Sequence, residues 1–241
     1  MQFIKVKTRK VLPPKDEIYD ILDKLKLKDG DIAVITSKIL AIHQGRTVKI
    51  DTKVDKNKLI QSEAEYVALH PTNSKHKFVF TIKHHTIIAS AGIDESNAKG
   101  HYILWPKDTN KLLKQFWSYL KRKHGLKKLG LIATDSHITP LRRGISGISI
   151  GFFGFEPLKD YRKTPDIFGR KLKVTVANLV EPLAAMAVLL MGEGSEQTPI
   201  VIIRGFKTRF TNKATYRKTV MPLKDDLYYP ILRGFMKSRK V

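Results

Sequence analysis

Two acidic clusters follow apolar runs in this chain. Ala91-Gly92-Ile93-Asp94-Glu95-Ser96-Asn97 comes after the run Thr86 to Ala89, and Thr134-Asp135-Ser136 closes the run Leu129-Gly130-Leu131-Ile132-Ala133. A carboxylate at a strand end, beside hydroxyl or amide side chains, suits a hard cation such as magnesium. That ion takes one or two carboxylates and fills its other positions with water and phosphate oxygens. The same residues also suit turns and helix caps, where aspartate is common, and taken singly each is more often one of those.

Other chemistries are excluded by what the residues lack. With no cysteine in 241 residues, disulfides, thiolate metal sites and cysteine nucleophiles are ruled out. There is no G-x-x-x-x-G-K-[ST] loop, and Gly144, Gly147, Gly151 and Gly154 do not have dinucleotide-fingerprint spacing. The eight histidines include neither H-E-x-x-H nor H-x-E, so a zinc hydrolase or deaminase has no support. Asp135-Ser136-His137 is not a catalytic triad, because neighbours along a strand point to opposite faces.

Charge narrows the partner class. Lys and Arg number 45 against 22 Asp and Glu, a formal net charge of +23 that favours an anionic partner. Nucleic acid, nucleotides, phosphorylated cofactors and polyglutamates all qualify. Ten of the 36 residues from Phe206 to Val241 are Lys or Arg, so much of the excess sits in a C-terminal segment. A second cluster, Lys121-Arg122-Lys123-His124 with Lys127 and Lys128, follows Leu112, Leu113, Phe116 and Leu120 at helical spacing and reads as a cationic helix end. The longest apolar stretch, around Leu183 to Met191, is shorter than the roughly 20 residues a membrane span needs, and the first ten residues have no apolar signal core. A soluble, cytoplasmic protein is expected.

The elements that must position these residues alternate without regular βαβ spacing. Strands are expected at Ile32 to Ile35, Phe78 to Ile82, Thr86 to Ala89, Leu129 to Ala133, Ile148 to Phe153 and Ile200 to Ile203. Helices are expected around Ile18 to Leu25 and at Lys58 to Val67, Asn110 to Lys123 and Ala177 to Met191. This pattern predicts an α+β fold. Ile32-Ala33-Val34-Ile35 running into Thr36-Ser37-Lys38 echoes the Leu129 to Ser136 unit and suggests two related lobes.

Five blocks appear in order across roughly residues 10 to 205: ITSKILAIHQGR, AGIDESNA, ATDS, DYRKTPDIFGRKLKVT, and the stretch through MGEGSEQTPIVIIRG. They resemble the successive motifs of the coenzyme F420-0:L-glutamate ligase family. The strings LPPKD, ILWP and GFFGFEPL resemble in particular its folate-metabolism γ-glutamate ligase branch. The resemblance implies an α+β, two-lobed ligase with mixed and antiparallel sheets that forms a homodimer. It also implies a catalytic domain over residues 1 to 205, followed by a basic extension over 206 to 241.

By motif, the resemblance assigns divalent metal (Mg²⁺ or Mn²⁺) to Asp94, Asp135, Ser136 and Glu193. It assigns nucleotide contacts (GTP or ATP) to Leu12, Pro13, Pro14, Lys15, Ser37, Lys38 and Asn97, and to the segment Met191, Gly192, Glu193, Gly194, Ser195, Glu196, Gln197 and Thr198. Asp94, Asp135 and Arg170 are the expected catalytic residues, with Arg142, Arg143 and Arg162 as further candidates to clamp carboxylates or phosphates.

The implied reaction activates an acceptor carboxylate as an acyl phosphate, which the amine of L-glutamate then attacks. The acceptor would be a folate or F420-0-type anion. Ser136 to Gly144 reads SHITPLRRG where the family usually has a Thr-Phe-Gly-Arg run, so the acceptor stays open; Ile42 stands where many relatives carry lysine, so GTP and ATP stay open too. The alternative reading, less favoured, is a basic nucleic-acid-binding protein on a ligase-derived scaffold.

Overall fold

A central strand made of Ile32-Ala33-Val34-Ile35, each of them inaccessible to solvent, must have helices or loops on both of its faces. The computed structural model, which describes residues 1–68, 78–213 and 216–236, shows this. Strand β2 (Asp31–Thr36) lies third in a five-stranded sheet ordered β1 (Gln2–Val6), β12 (Ile200–Arg204), β2, β8 (Leu129–Ile138), β9 (Ile145–Phe153). β2 and β8 run parallel, and the other neighbours pair antiparallel.

Alternation along the strands divides the core into two layers. Ala33, Ile35, Leu131, Ala133 and Ile200 face α1 (Tyr19–Asp23), α2 (Ser37–His43) and α4 (Thr109–Lys123), where Leu22, Leu40, Leu113 and Phe116 are buried. Ile32, Val34, Ile132, Val201 and Ile203 face α5 (Val180–Met191) through Val180, Leu183, Ala184 and Ala187. The last turn of α4 carries Lys121, Arg122 and Lys123, where cations complement the exposed carbonyls.

A smaller core gathers Ile60, Ala91, Ile93, Tyr102 and Leu104 beside the main sheet. It is built from α3 (Lys56–Glu63), the three-stranded sheet β4 (Tyr66–Val67), β5 (Phe80–Lys83), β6 (Thr86–Ala89), and the pair β3 (Thr47–Lys49) with β7 (His101–Ile103). A two-stranded arm, β10 (Leu158–Asp160) with β11 (Val176–Asn178), projects between β9 and α5. Beyond Arg204 the described chain first lies on the second core layer, where Phe206, Phe210 and Tyr216 pack and Glu156 N–H donates to the Arg209 carbonyl at 2.8 Å. Its last helix, Tyr229–Met236, is beside β4. Among the described residues no helix is long and apolar enough to cross a membrane.

The mixed α+β class is as expected, with three local corrections. Thr134-Asp135-Ser136 does not end its strand: β8 continues to Ile138, paired with β9 across a bulge at Ala133/Thr134. The stretch Lys58 to Val67 is helical only to Glu63 and then turns into β4, because Ala64 and Glu65 lead Tyr66 into antiparallel pairing with Ile82. Ala177 and Asn178 belong to β11, and α5 starts at Val180, whose N–H is capped by Asn178 Oδ1 at 2.9 Å. The echo between Ile32–Lys38 and Leu129–Ser136 does not mark two lobes. The two copies are adjacent parallel strands of one sheet, in register as Ile35 with Ala133 and Thr36 with Thr134.

Candidate active site

That register sets the site. Where β2 stops, Thr36 becomes the extended residue before α2, so Ser37 and Lys38 enter the first helical turn. One step beyond the Thr36–Thr134 pair, β8 places Asp135 beside them, with the Ser37 hydroxyl near enough to favour its charged form. Where β2 ends beside the continuing, parallel β8, a hydroxyl, an ammonium and an acid thus come together.

The second acid arrives from the small core. After β6 a tight turn at Ser90–Gly92 takes Ala91 and Gly92 to φ of 56° and 72° and delivers Asp94 to the same place. Its backbone is fixed by reciprocal hydrogen bonds with Ile103, at 3.0 and 2.8 Å. Asp94 Oδ2 lies 2.7 Å from Lys38 Nζ, and Asp94 Oδ1 accepts from Ser96 N–H at 2.6 Å. Lys38 Nζ also donates to the Ser96 carbonyl at 2.8 Å and meets its hydroxyl at 2.9 Å.

The third side is the segment after α5. Gly192, with φ 78°, turns the chain out of the helix, and Thr198 Oγ1 donates to the Met191 carbonyl at 2.6 Å to close the loop. Asn97 Nδ2 donates to the Gly194 carbonyl at 2.8 Å and ties this loop to the Asp94 segment. Between the three sides lies a cavity of about 730 Å³, large enough for a nucleotide-sized ligand.

The electrostatics are those of acids sharing one space. Burial pushes Asp135 up to about 6, and the Asp94 charge adds to this against hydrogen bonds from Trp105, Ser136 and Ser37. Burial also raises Glu193, with Asp94 and Glu196 contributing and Lys38 opposing. Burial works in the same direction on Asp94, but the Lys38 ammonium and the Ser96 hydrogen bonds outweigh it and hold this carboxyl below its ordinary value. Among the described residues no group of three His, Cys, Asp or Glu side chains is placed to hold a metal ion by itself. The donor set is instead an open one: Asp135 and Glu193, each raised in part by the Asp94 charge, with Asp94 itself, facing a cavity that could admit phosphate oxygens. This fits a hard divalent ion bound partly through its substrate.

The sequence matches the family described as F420-0:Gamma-glutamyl ligase over residues 5–205. The chain belongs to that family. It is 31% identical to the coenzyme F420:L-glutamate ligase of Methanopyrus kandleri over 83% of this chain and 84% of that protein. The same identity holds for the enzymes of that name from Methanocaldococcus jannaschii, over 88% and 89%, and Methanosarcina acetivorans, over 91% of each. Membership makes the chain an amide-bond-forming ligase, as its motifs predicted.

Within this γ-glutamyl ligase family member, the expected residues divide. Leu12, Lys38, Asp94, Asn97, Asp135, Ser136 and the whole segment Met191 to Thr198 line the cavity. Ser37 lies outside the lining, next to Asp135, while Pro13, Pro14 and Lys15 follow Leu12 outside it as well. Arg170 is not brought there: it is exposed on the β10–β11 arm, its N–H bonded to Asp166 Oδ1 at 2.9 Å. Arg142 and Arg143 are exposed in the β8–β9 turn, and Arg162 is paired with Asp160 at 2.6 Å.

Several lining residues had no signal in the sequence. Thr8, Lys10, Val11 and Lys99 line the cavity, and two lysines among 45 basic residues stand out by nothing local. Arg9 lines it as well, but its guanidinium is taken by Asp16 at 2.7 Å and Asp20 at 2.8 Å. Trp105, whose indole donates to Asp135, was visible only as part of the string ILWP.

Proposed function

We propose that this chain is a nucleotide-dependent ligase that joins the amine of L-glutamate to a carboxylate of an F420-0-type or folate acceptor. Residues 1–205 form its catalytic body and 206–241 an extension. The observation that carries the reading is the convergence of Asp94, Asp135, Glu193 and Lys38 on one cavity in a member of this ligase family.

A carboxylate is a poor electrophile toward an amine, so it is activated first. An oxygen of the acceptor carboxylate attacks the γ-phosphorus of GTP or ATP and the nucleoside diphosphate leaves. The amine of glutamate then attacks the acyl carbon; phosphate leaves and the amine gives up a proton. Catalysis of this kind is mainly positioning and charge neutralisation.

Asp94, Asp135 and Glu193, with the Ser136 hydroxyl, would hold Mg²⁺ or Mn²⁺, which when bound offsets the charge of the phosphates. Lys38, and with it Lys10 and Lys99, supply cationic contacts from the cavity wall. Asn97 holds the Gly192–Thr198 loop in place over the ligand. The basic cluster at and after the end of α4 takes no part: the backbone N–H groups of Lys127 and Lys128 donate to Asp29 Oδ1 beside the start of β2 and β8, at the opposite end of the sheet from Asp135.

Incubation of the protein with GTP or ATP, Mg²⁺ or Mn²⁺, L-glutamate and a panel of F420-0 and folate acceptors should give a product heavier by one glutamyl unit in mass spectrometry. No product with any pairing would overturn the reading, and the pairing that reacts identifies acceptor and nucleotide.

The functional unit is a homodimer. Ile138 and its register partner Ile145 are exposed with Leu141 on the β8–β9 hairpin, and Met186 and Leu189 are exposed on α5. Apolar groups left in water on one side of a sheet edge are best covered by a second copy. Light scattering should give twice the mass of the 27.5 kDa chain, and Leu189→Lys together with Leu141→Lys should return it to one.

A further inference from the structure

Asp135 is held from behind by a residue that the reaction scheme leaves unused. Trp105 is 2% exposed, and its indole Nε1–H donates to Asp135 Oδ2. The geometry points to Trp105 as the positioning residue for Asp135, seated by an ion trio, the buried Lys83 with the partly buried Glu63 and Arg46, that links the small core to the active site. This inference rests on the ligase reading of the same cavity.

An indole N–H is a donor only, so it can orient the carboxylate but cannot take its proton. Its value is therefore geometric, and the tryptophan must itself be fixed. It is held at several points. Arg46 Nε donates to the Trp105 carbonyl at 3.2 Å, and Lys83 Nζ stands 5.7 Å from the indole centroid. Gly92 lies so close that a Cβ there would come within 2.2 Å of the indole nitrogen, so that any side chain at position 92 would displace it.

Lys83 is 5% exposed at its side chain, and its ammonium bonds Glu63 Oε2 at 2.6 Å. Arg46 Nη2 meets the same oxygen at 2.6 Å. Burying a lysine is costly unless it is paired, and a fold that needed only packing here could use an apolar residue. The trio joins α3, β5 and the segment after α2, so three parts of the chain must be in place before Trp105 is seated.

The test uses the full-length protein. Its only two tryptophans, Trp105 and Trp117, give two indole N–H signals in a proton–nitrogen NMR spectrum, and Trp117 donates elsewhere, to the Leu129 carbonyl at 2.8 Å. Asp135→Asn should move the Trp105 signal upfield and leave that of Trp117 in place. Trp105→Phe, which keeps an aromatic ring, should weaken Mn²⁺ binding measured by electron paramagnetic resonance by about 10- to 100-fold, the usual loss when a partner behind a metal ligand is removed. In turnover it should lower kcat while KM for the acceptor is unchanged; Lys83→Met should do the same to a smaller degree.

A Trp105 signal that ignores Asp135→Asn, or wild-type Mn²⁺ affinity in Trp105→Phe, overturns the inference. Where Trp105→Phe does not fold, the NMR arm decides. If the parent protein binds no Mn²⁺ or forms no glutamyl product, the ligase reading has failed instead, and the indole signal still judges the contact.

Discussion

Asp135→Asn is expected to lower kcat by about 10³-fold or more, since metal-held charge neutralisation contributes several kcal/mol and each tenfold in rate is about 1.4 kcal/mol. The same variant should be more stable than the parent at high pH in the absence of divalent ions. Burial pushes the Asp135 pKa from its ordinary 3.8 up to about 6 in the folded protein. A carboxyl raised in this way binds its proton more tightly when folded. Its contribution is therefore fully present below about pH 4 and is lost as pH rises through about 6. Two pH units correspond to at most about 3 kcal/mol, less what water in the cavity screens. Asparagine carries no charge to bury, so the difference in unfolding free energy, variant minus parent, should grow between pH 4 and pH 8. Mn²⁺ should then raise the melting temperature of the parent and leave the variant unmoved. A difference independent of pH would mean that the carboxyl is not held in a desolvated setting, and full activity in the variant would remove Asp135 from the metal set.

The parts of this site that were legible in the sequence are those fixed by burial on both faces of a strand. Ile32 to Ile35 and Ile200 to Ile203 read as apolar runs because each is buried whichever way its side chains point. α4 was legible because Leu112, Leu113, Phe116 and Leu120 repeat at helical spacing against one core layer. β1 was not, since Gln2 and Lys5 are exposed and break its short apolar pattern on a sheet edge. The extension of β8 past Ala133 was hidden because Asp135 is a poor strand former and Asp-Ser reads as a turn; pairing with Ile148 and Gly147 overrides that preference.

The meeting of Asp94 and Asp135 was legible only as likeness to a family. Nothing local joins residues carried on different sheets; the parallel register of β2 with β8 and the turn at Ser90–Gly92 do so in the folded chain. The arginines show the opposite case. Arg170 looked like a clamp beside Gly169 and Asp166, but those neighbours make the tip of an exposed arm, where Asp166 accepts its N–H.

Lys38→Met is expected to move two affinities in opposite directions. In the folded chain the Lys38 ammonium sits 2.7 Å from Asp94 and opposes the rise in Glu193, so it is the counter-charge that lets the acids share the cavity. Removing it deepens the negative potential there. One unit charge about 4 Å away is worth about 4 kcal/mol at an effective dielectric of about 20, an upper limit because the pair is partly open to water. A divalent ion should therefore bind more tightly, by about tenfold after screening. The nucleotide should bind more weakly, because its phosphates lose a cationic contact and face the same acids. The net effect on kcat/KM should be a fall of about 10²- to 10³-fold, or about 3 to 4 kcal/mol of transition-state stabilisation. Titration with Mn²⁺ and steady-state kinetics over a range of nucleotide concentrations separate the two. Lys38→Arg, which keeps the charge on a wider head group, should hold metal affinity near the parent value and recover only part of the turnover. Weaker Mn²⁺ binding in Lys38→Met would show that the lysine supports the metal site rather than competing with it, and an unchanged KM for nucleotide would place the phosphates elsewhere.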